Sequence, residues 1–111
     1  MDERRSEQRL EVCLDAVWDG HGNRPARILD LSEGGCFVDT TGEAYIGELL
    51  TFHVELPDGK LLVLTGEVAH HMRPVGFGLR FVETNAEQRE QLLSFIEYLK
   101  KSHGEVRAVL R

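Results

Sequence analysis

With 111 residues, 41% of them apolar and 29% charged, the chain has room for one domain around one core. A net charge of -6 at pH 7 argues against a nucleic-acid polymer as partner, since such binding usually needs a basic face. The longest apolar run, Leu61-Leu62-Val63-Leu64, falls far short of the ~20 residues that cross a bilayer, so no membrane insertion is expected. No apolar segment follows Met1-Asp2-Glu3-Arg4-Arg5, which leaves the cytoplasm as the expected compartment.

Residues 1–8 are polar apart from Met1 and read as a flexible arm carrying Arg4 and Arg5. From there Leu10, Val12, Leu14 and Ala16 alternate with Glu11, Cys13 and Asp15, the period of a half-buried strand. Trp18 reads as a packing residue at that strand's end, before the turn signal Asp19-Gly20-His21-Gly22-Asn23. A second strand is expected over Ala26–Leu31, and a third over Cys36-Phe37-Val38 after the turn Glu33-Gly34-Gly35. In an unsecreted chain Cys13 and Cys36 read as reduced thiols of these strands.

Leu50, Phe52, Val54 and Leu56 alternate again and end at Pro57-Asp58-Gly59, a hairpin turn. Leu61–Ala69 and Val75–Val82 read as two further strands joined around Pro74, with His70-His71 at a strand end and facing opposite ways. Six short strands joined by glycine turns suggest a mainly β fold, an antiparallel barrel. The period then changes. Thr84-Asn85-Ala86-Glu87 offers a capping box, and Leu92, Phe95, Ile96 and Leu99 recur at helical spacing over 86–101. Lys100, Lys101 and His103 suit the C-terminus of that helix, and Gly104 can stop it. The expected organisation is an arm over 1–8, a barrel with its C-terminal helix over 9–101, and a tail over 102–111.

Two constellations carry chemistry. Arg5-Ser-Glu-Gln-Arg9 is an R-x-x-x-R preceded by Arg4. Guanidinium groups bond phosphate bidentately, present paired donors to the O6 and N7 edge of guanine, and stack on flat rings. Alone, such a spacing is more readily a solvated charged tail than a site. Asp30-Leu-Ser32-Glu-Gly34-Gly35 is a D-x-S-x-x-G at a strand end. On a strand Asp30 and Ser32 would share one face, where a carboxylate can accept guanine N–H groups and a hydroxyl can bond a phosphate or base. Gly34 and Gly35 would permit positive φ and let a ligand approach the backbone. The competing account is a turn held by Asp and Ser bonds to nearby backbone.

In this order, with a strand and hairpin between them, the two motifs resemble the hallmark of the PilZ domain family, R-x-x-x-R followed by [D/N]-x-S-x-x-G. Gly76-Phe-Gly78-Leu-Arg-Phe81 resembles that family's glycine-containing final strand, and the likeness covers roughly residues 3 to 101. The resemblance implies a six-stranded antiparallel PilZ-type β-barrel with a C-terminal α-helix and cyclic di-GMP as ligand. The residues offer no G-x-S-x-G elbow, no Cys/His nucleophile pair and no metal-ligand spacing, so no enzymatic activity, metal or cofactor is expected. Carried over by position, Arg5 and Arg9 would contact guanine and phosphate, Asp30 and Ser32 a guanine edge, with Gly34 and Gly35 making room. Arg4, just before the first motif arginine, implies two stacked ligands. A bare receptor domain would signal through an unidentified protein effector. The alternatives are a nucleotide-independent PilZ-like adaptor in motility or pilus assembly, and an accessory subunit gripping another anion. A short edge strand or the tail after Gly104 could also form a homodimer.

Overall fold

A computed structural model describes residues 9–18, 24–72, 75–82 and 85–101. The expected turn over 19–23, the Pro74 connection, the arm with Arg4 and Arg5, Thr84 and the tail after Lys101 lie outside the described residues. Six strands run in chain order: β1 Leu10–Trp18, β2 Arg24–Leu31, β3 Gly35–Asp39, β4 Leu49–Glu55, β5 Leu61–Met72 and β6 Gly76–Phe81. They close into a barrel in the order β1-β2-β3-β6-β5-β4, every pairing antiparallel, with β4 meeting β1 through Trp18↔Phe52, Val17↔His53 and Ala16↔Val54. Closure removes the exposed edges that an open sheet would present.

The alternation read from β1 and β4 is the alternation observed. Leu10, Val12, Leu14, Ala16 and Trp18 face inward, as do Leu50, Phe52 and Val54. Trp18 is 1% exposed, stacked on Phe52 at 5.8 Å and set edge-on to Phe77 at 5.8 Å. This trio fills the barrel near the loop between β3 and β4, where Thr40 donates to the Pro25 carbonyl and Ala44 is drawn into the core. The β4–β5 hairpin turns at Gly59, whose φ of 89° suits glycine, and is fixed by Leu56 N–H donating to the Lys60 carbonyl at 2.8 Å.

Strand β5 runs past the expected Ala69 to Met72. A register shift between Val68 and His70 breaks the period of two at Ala69, and pairing then resumes with Gly78, Phe77 and Gly76. The two histidines do diverge: the His70 ring lies against Gly78, while His71 Nε2 bonds the Ala44 carbonyl at 2.5 Å.

Helix α1 spans Ala86–Lys101 and packs against β5 with Leu92, Phe95, Ile96 and Leu99 buried. Its cap is Asn85, whose Oδ1 accepts the Gln88 N–H at 2.8 Å, one residue later than the capping box places it. Asparagine caps as well as threonine, so the sequence offers two adjacent starts. Four buried side chains at ~1.5–3 kcal/mol each outweigh a cap of ~1 kcal/mol, so packing rather than capping holds the helix to the barrel.

Candidate functional site

The site begins where the two motifs meet. Arg9, just ahead of β1, places Nη2 2.6 Å from Asp30 Oδ1 near the end of β2. Antiparallel pairing of β1 with β2 makes this possible, because Glu11 lies opposite Asp30 and Leu10 opposite Leu31. The last arginine of the first motif is thereby joined to the aspartate of the second. Both side chains remain in contact with water, at 53% and 32% exposure.

Ser32 departs from the expectation that it shares a face with Asp30. It is fully buried, and β2 ends at Leu31, so the period-of-two argument stops one residue too early. Its hydroxyl accepts the Gly34 N–H at 3.3 Å and donates to the Gly35 carbonyl at 3.3 Å, while its own N–H bonds that carbonyl at 2.9 Å. Ser32 thus takes the role of a turn residue, as the competing account of this motif has it.

Gly35 differs from expectation in the same direction. It does not adopt a positive φ; among the described glycines Gly47 and Gly59 do. A Cβ on Gly35 would run into the Leu79 carbonyl oxygen of β6, so the space left by its missing side chain is taken by a neighbouring strand. Gly34 contributes through its backbone, its carbonyl accepting the Phe81 N–H at 2.8 Å.

Cross-strand register assembles a surface row that the motifs do not reveal. Asp30 lies opposite Phe37, Phe37 opposite Gly78, and Gly78 opposite His70. The His70 ring lies over Gly78, where any Cβ would collide with it. The next row brings Arg80 between Gly35 and Glu67, with Arg80 Nη2 bonded to Glu67 Oε1. A carboxylate–guanidinium pair therefore stands beside a half-buried phenyl ring and an imidazole. Such a surface can offer hydrogen bonds and flat apolar contact to a planar, anionic molecule. Phe37 and His70 escape sequence reasoning because they are distant in the chain, and the bulge at Ala69 sets the orientation of His70.

Arg89 of α1 was likewise missed. Its Nη1 donates to the Glu33 carbonyl at 2.9 Å, tying the helix to the Ser32–Gly35 turn. Beneath this tie lies a cavity of about 330 Å³ lined by Glu33, Gly34, Thr65, Phe81, Asn85 and Arg89, among others. An arginine at that helix position carries no signal in the sequence beyond that of an ordinary solvated charge.

Cys36 lies inside the barrel, opposite Leu31. Burial pushes its thiol pKa well above the ordinary range; the Asp30 charge adds to this and Arg9 opposes it. Neither cysteine is in a disulfide. An unfolded thiol ionises near ~8.5, so below that pH both states hold the proton and Cys36 adds no pH dependence. Above it the unfolded chain loses a proton that the folded barrel keeps, and stability falls by up to about 1.4 kcal/mol per pH unit. Urea unfolding between about pH 8.5 and 10.5 should show a shallower decline for Cys36→Ala than for the parent, by an amount approaching that slope. Equal slopes would contradict the burial argument.

The model of the PilZ domain matches residues 3–98. Comparison with curated proteins gives no match. Among solved structures, the chain is similar to YcgR of Escherichia coli in complex with c-di-GMP, with TM-score 0.75 and 19% identity, covering 97% of this chain and 51% of that one. It is similar to the PilZ domain of the same protein with c-di-GMP, with TM-score 0.73 and 16% identity, covering 93% and 96%. It also resembles the Bacillus subtilis inhibitor of motility, MotI/DgrA, with TM-score 0.70 and 19% identity, covering 91% and 53%. The chain spans about half the length of the YcgR–c-di-GMP and MotI/DgrA chains that it matches. At these identities the likeness is one of fold.

Proposed function

This chain belongs to the PilZ domain family, and on that premise we propose that it is a cyclic di-GMP receptor that passes the signal to a protein effector. The observation that carries the reading is the 2.6 Å bond from Arg9 to Asp30, which brings the two family motifs to one place on the barrel. Two of the similar structures are described as holding c-di-GMP, which supports the same ligand class here.

In this reading Arg5 and Arg9 hold guanine and phosphate, and Asp30 accepts guanine N–H groups. Ser32, Gly34 and Gly35 supply the turn that presents Asp30 and the adjacent backbone. Arg4 stacks on a second ligand molecule. The segment 1–8 is an arm that the ligand orders over the barrel 9–101, and the change in surface is what the effector reads. Ordering costs about 1–2 kcal/mol per residue, and charge-assisted bonds at ~1.5–3 kcal/mol each offset it. The protein acts in the cytoplasm, by binding rather than catalysis, and uses no cofactor.

The test is calorimetric titration with cyclic di-GMP, GTP, GMP and cyclic di-AMP in parallel. Micromolar or tighter binding of cyclic di-GMP alone is the expected result, with two ligands per domain if Arg4 acts as stated. Folded protein that takes up no cyclic di-GMP would overturn the receptor reading and leave a nucleotide-independent adaptor.

A further inference from the structure

The described chain has a second concave surface, away from the motifs. Between α1 and the β4–β5 hairpin lies a groove of about 970 Å³, at the upper end of the ~300–1,000 Å³ typical of clefts that enclose a ligand. One wall is a single helix face: Glu87, Glu90, Gln91, Ser94 and Tyr98, with Phe95 below. The other wall is Leu56–Asp58 and Lys60–Leu62. Both walls are fixed. The helix is anchored by its buried stripe, and the hairpin by the Leu56–Lys60 bond and by Asp58 Oδ1 accepting the Lys60 N–H at 3.0 Å.

The groove shows apolar surface to water inside a charged rim. Leu61 and Tyr98 are 59% and 51% exposed on its rim, above an apolar floor of Leu62 and Phe95. Asp58, Glu87 and Glu90 surround that apolar surface, with Lys60 the lining cation. An apolar trough between preformed walls suits the apolar face of a helix, and an acidic rim selects one flanked by lysine or arginine. A long side chain such as Lys or Arg can lay its methylenes on Leu61 or Tyr98 while its charge meets Glu87 or Glu90.

We propose that this groove is the effector-docking surface and that its occupant is a basic amphipathic helix of a protein partner. The proposal rests on the adaptor half of the functional reading, and names the place and chemistry of that contact.

The probe is a fluorescently labelled peptide of leucine and lysine patterned as an amphipathic helix, with a leucine–glutamate peptide of the same pattern as control. Anisotropy titrations use the full chain at physiological salt, where non-specific charge attraction is screened. Micromolar binding of the Leu/Lys peptide and not of the Leu/Glu peptide is expected. Leu61→Ser and Glu90→Lys should each weaken it by roughly tenfold, as truncation of a contact that matters does. Glu43→Lys, an equal charge change on an exposed loop residue outside the groove, should leave it unchanged. Melting curves for each variant confirm that the barrel is intact. Equal loss with Glu43→Lys would reduce the effect to net charge and overturn the proposal, as would unaltered binding by Leu61→Ser and Glu90→Lys. Sedimentation velocity tests a second copy as occupant: self-association abolished by Leu61→Ser, without peptide binding, would assign the groove to a second copy instead. Cyclic di-GMP titration of the same samples reports separately on the nucleotide site, so failure of one reading is distinct from failure of the other.

Discussion

Arg5→Ala/Arg9→Ala is expected to weaken cyclic di-GMP binding by roughly two to four orders of magnitude while leaving the barrel nearly as stable as before. The size follows from the bonds removed. Charge-assisted hydrogen bonds contribute about 1.5–3 kcal/mol each, and at least one is lost with each guanidinium. The stability side follows from exposure. Arg9 and Asp30 are 53% and 32% exposed, so their ion pair contributes at most about 0–1 kcal/mol to folding. Calorimetry and thermal melts on the same preparations separate the two quantities. If wild-type protein binds and the double variant binds within about threefold, the arginine motif does not hold the ligand. A fall in melting temperature of ten degrees or more, on the order of 2 kcal/mol for a domain of this size, would show that Arg9 holds the barrel together instead.

Much of this fold was legible because the barrel's periodicity is local. Leu10, Val12, Leu14 and Ala16, and again Leu50, Phe52 and Val54, mark strands whose inward faces are those observed. The helix over 86–101 was legible for the same reason, its four buried residues recurring at helical spacing. Reading failed where the chain leaves its period. At Ala69 a bulge carries β5 on to Met72 and places the His70 ring over Gly78, which no alternation predicts. At Leu31 the strand ends, so Ser32 turns inward and does not accompany Asp30 on the surface. The pairing of Arg9 with Asp30 was foreshadowed by two motifs, whereas Phe37, His70 and Arg89 join the site only through cross-strand register and helix docking.

Gly35→Ala has its expected effect on the fold before any effect on the ligand. In this structure the added methyl group points at the Leu79 carbonyl oxygen, with Leu79 C and Arg80 Cα also close, and all three are backbone atoms of β6. A flexible side chain could swing aside, but a strand cannot. Gly35 pairs with Arg80 and Cys36 with Leu79, so separating β3 from β6 at this point strains the register of the closed barrel. Overpacking of this kind costs about 1–3 kcal/mol, and more where the clash is with main chain. For a domain of this size that lowers the melting temperature by roughly 5–15 °C. The Ser32–Gly35 turn is built on the same residue, since both the Ser32 N–H and hydroxyl bond the Gly35 carbonyl. Ligand affinity should therefore fall as a consequence of the displaced turn. The order of events is measurable: urea unfolding of Gly35→Ala without ligand should already show the lower midpoint. Full stability of the ligand-free variant, combined with lost binding, would instead mean that Gly35 makes room for the ligand itself, as the motif alone suggests.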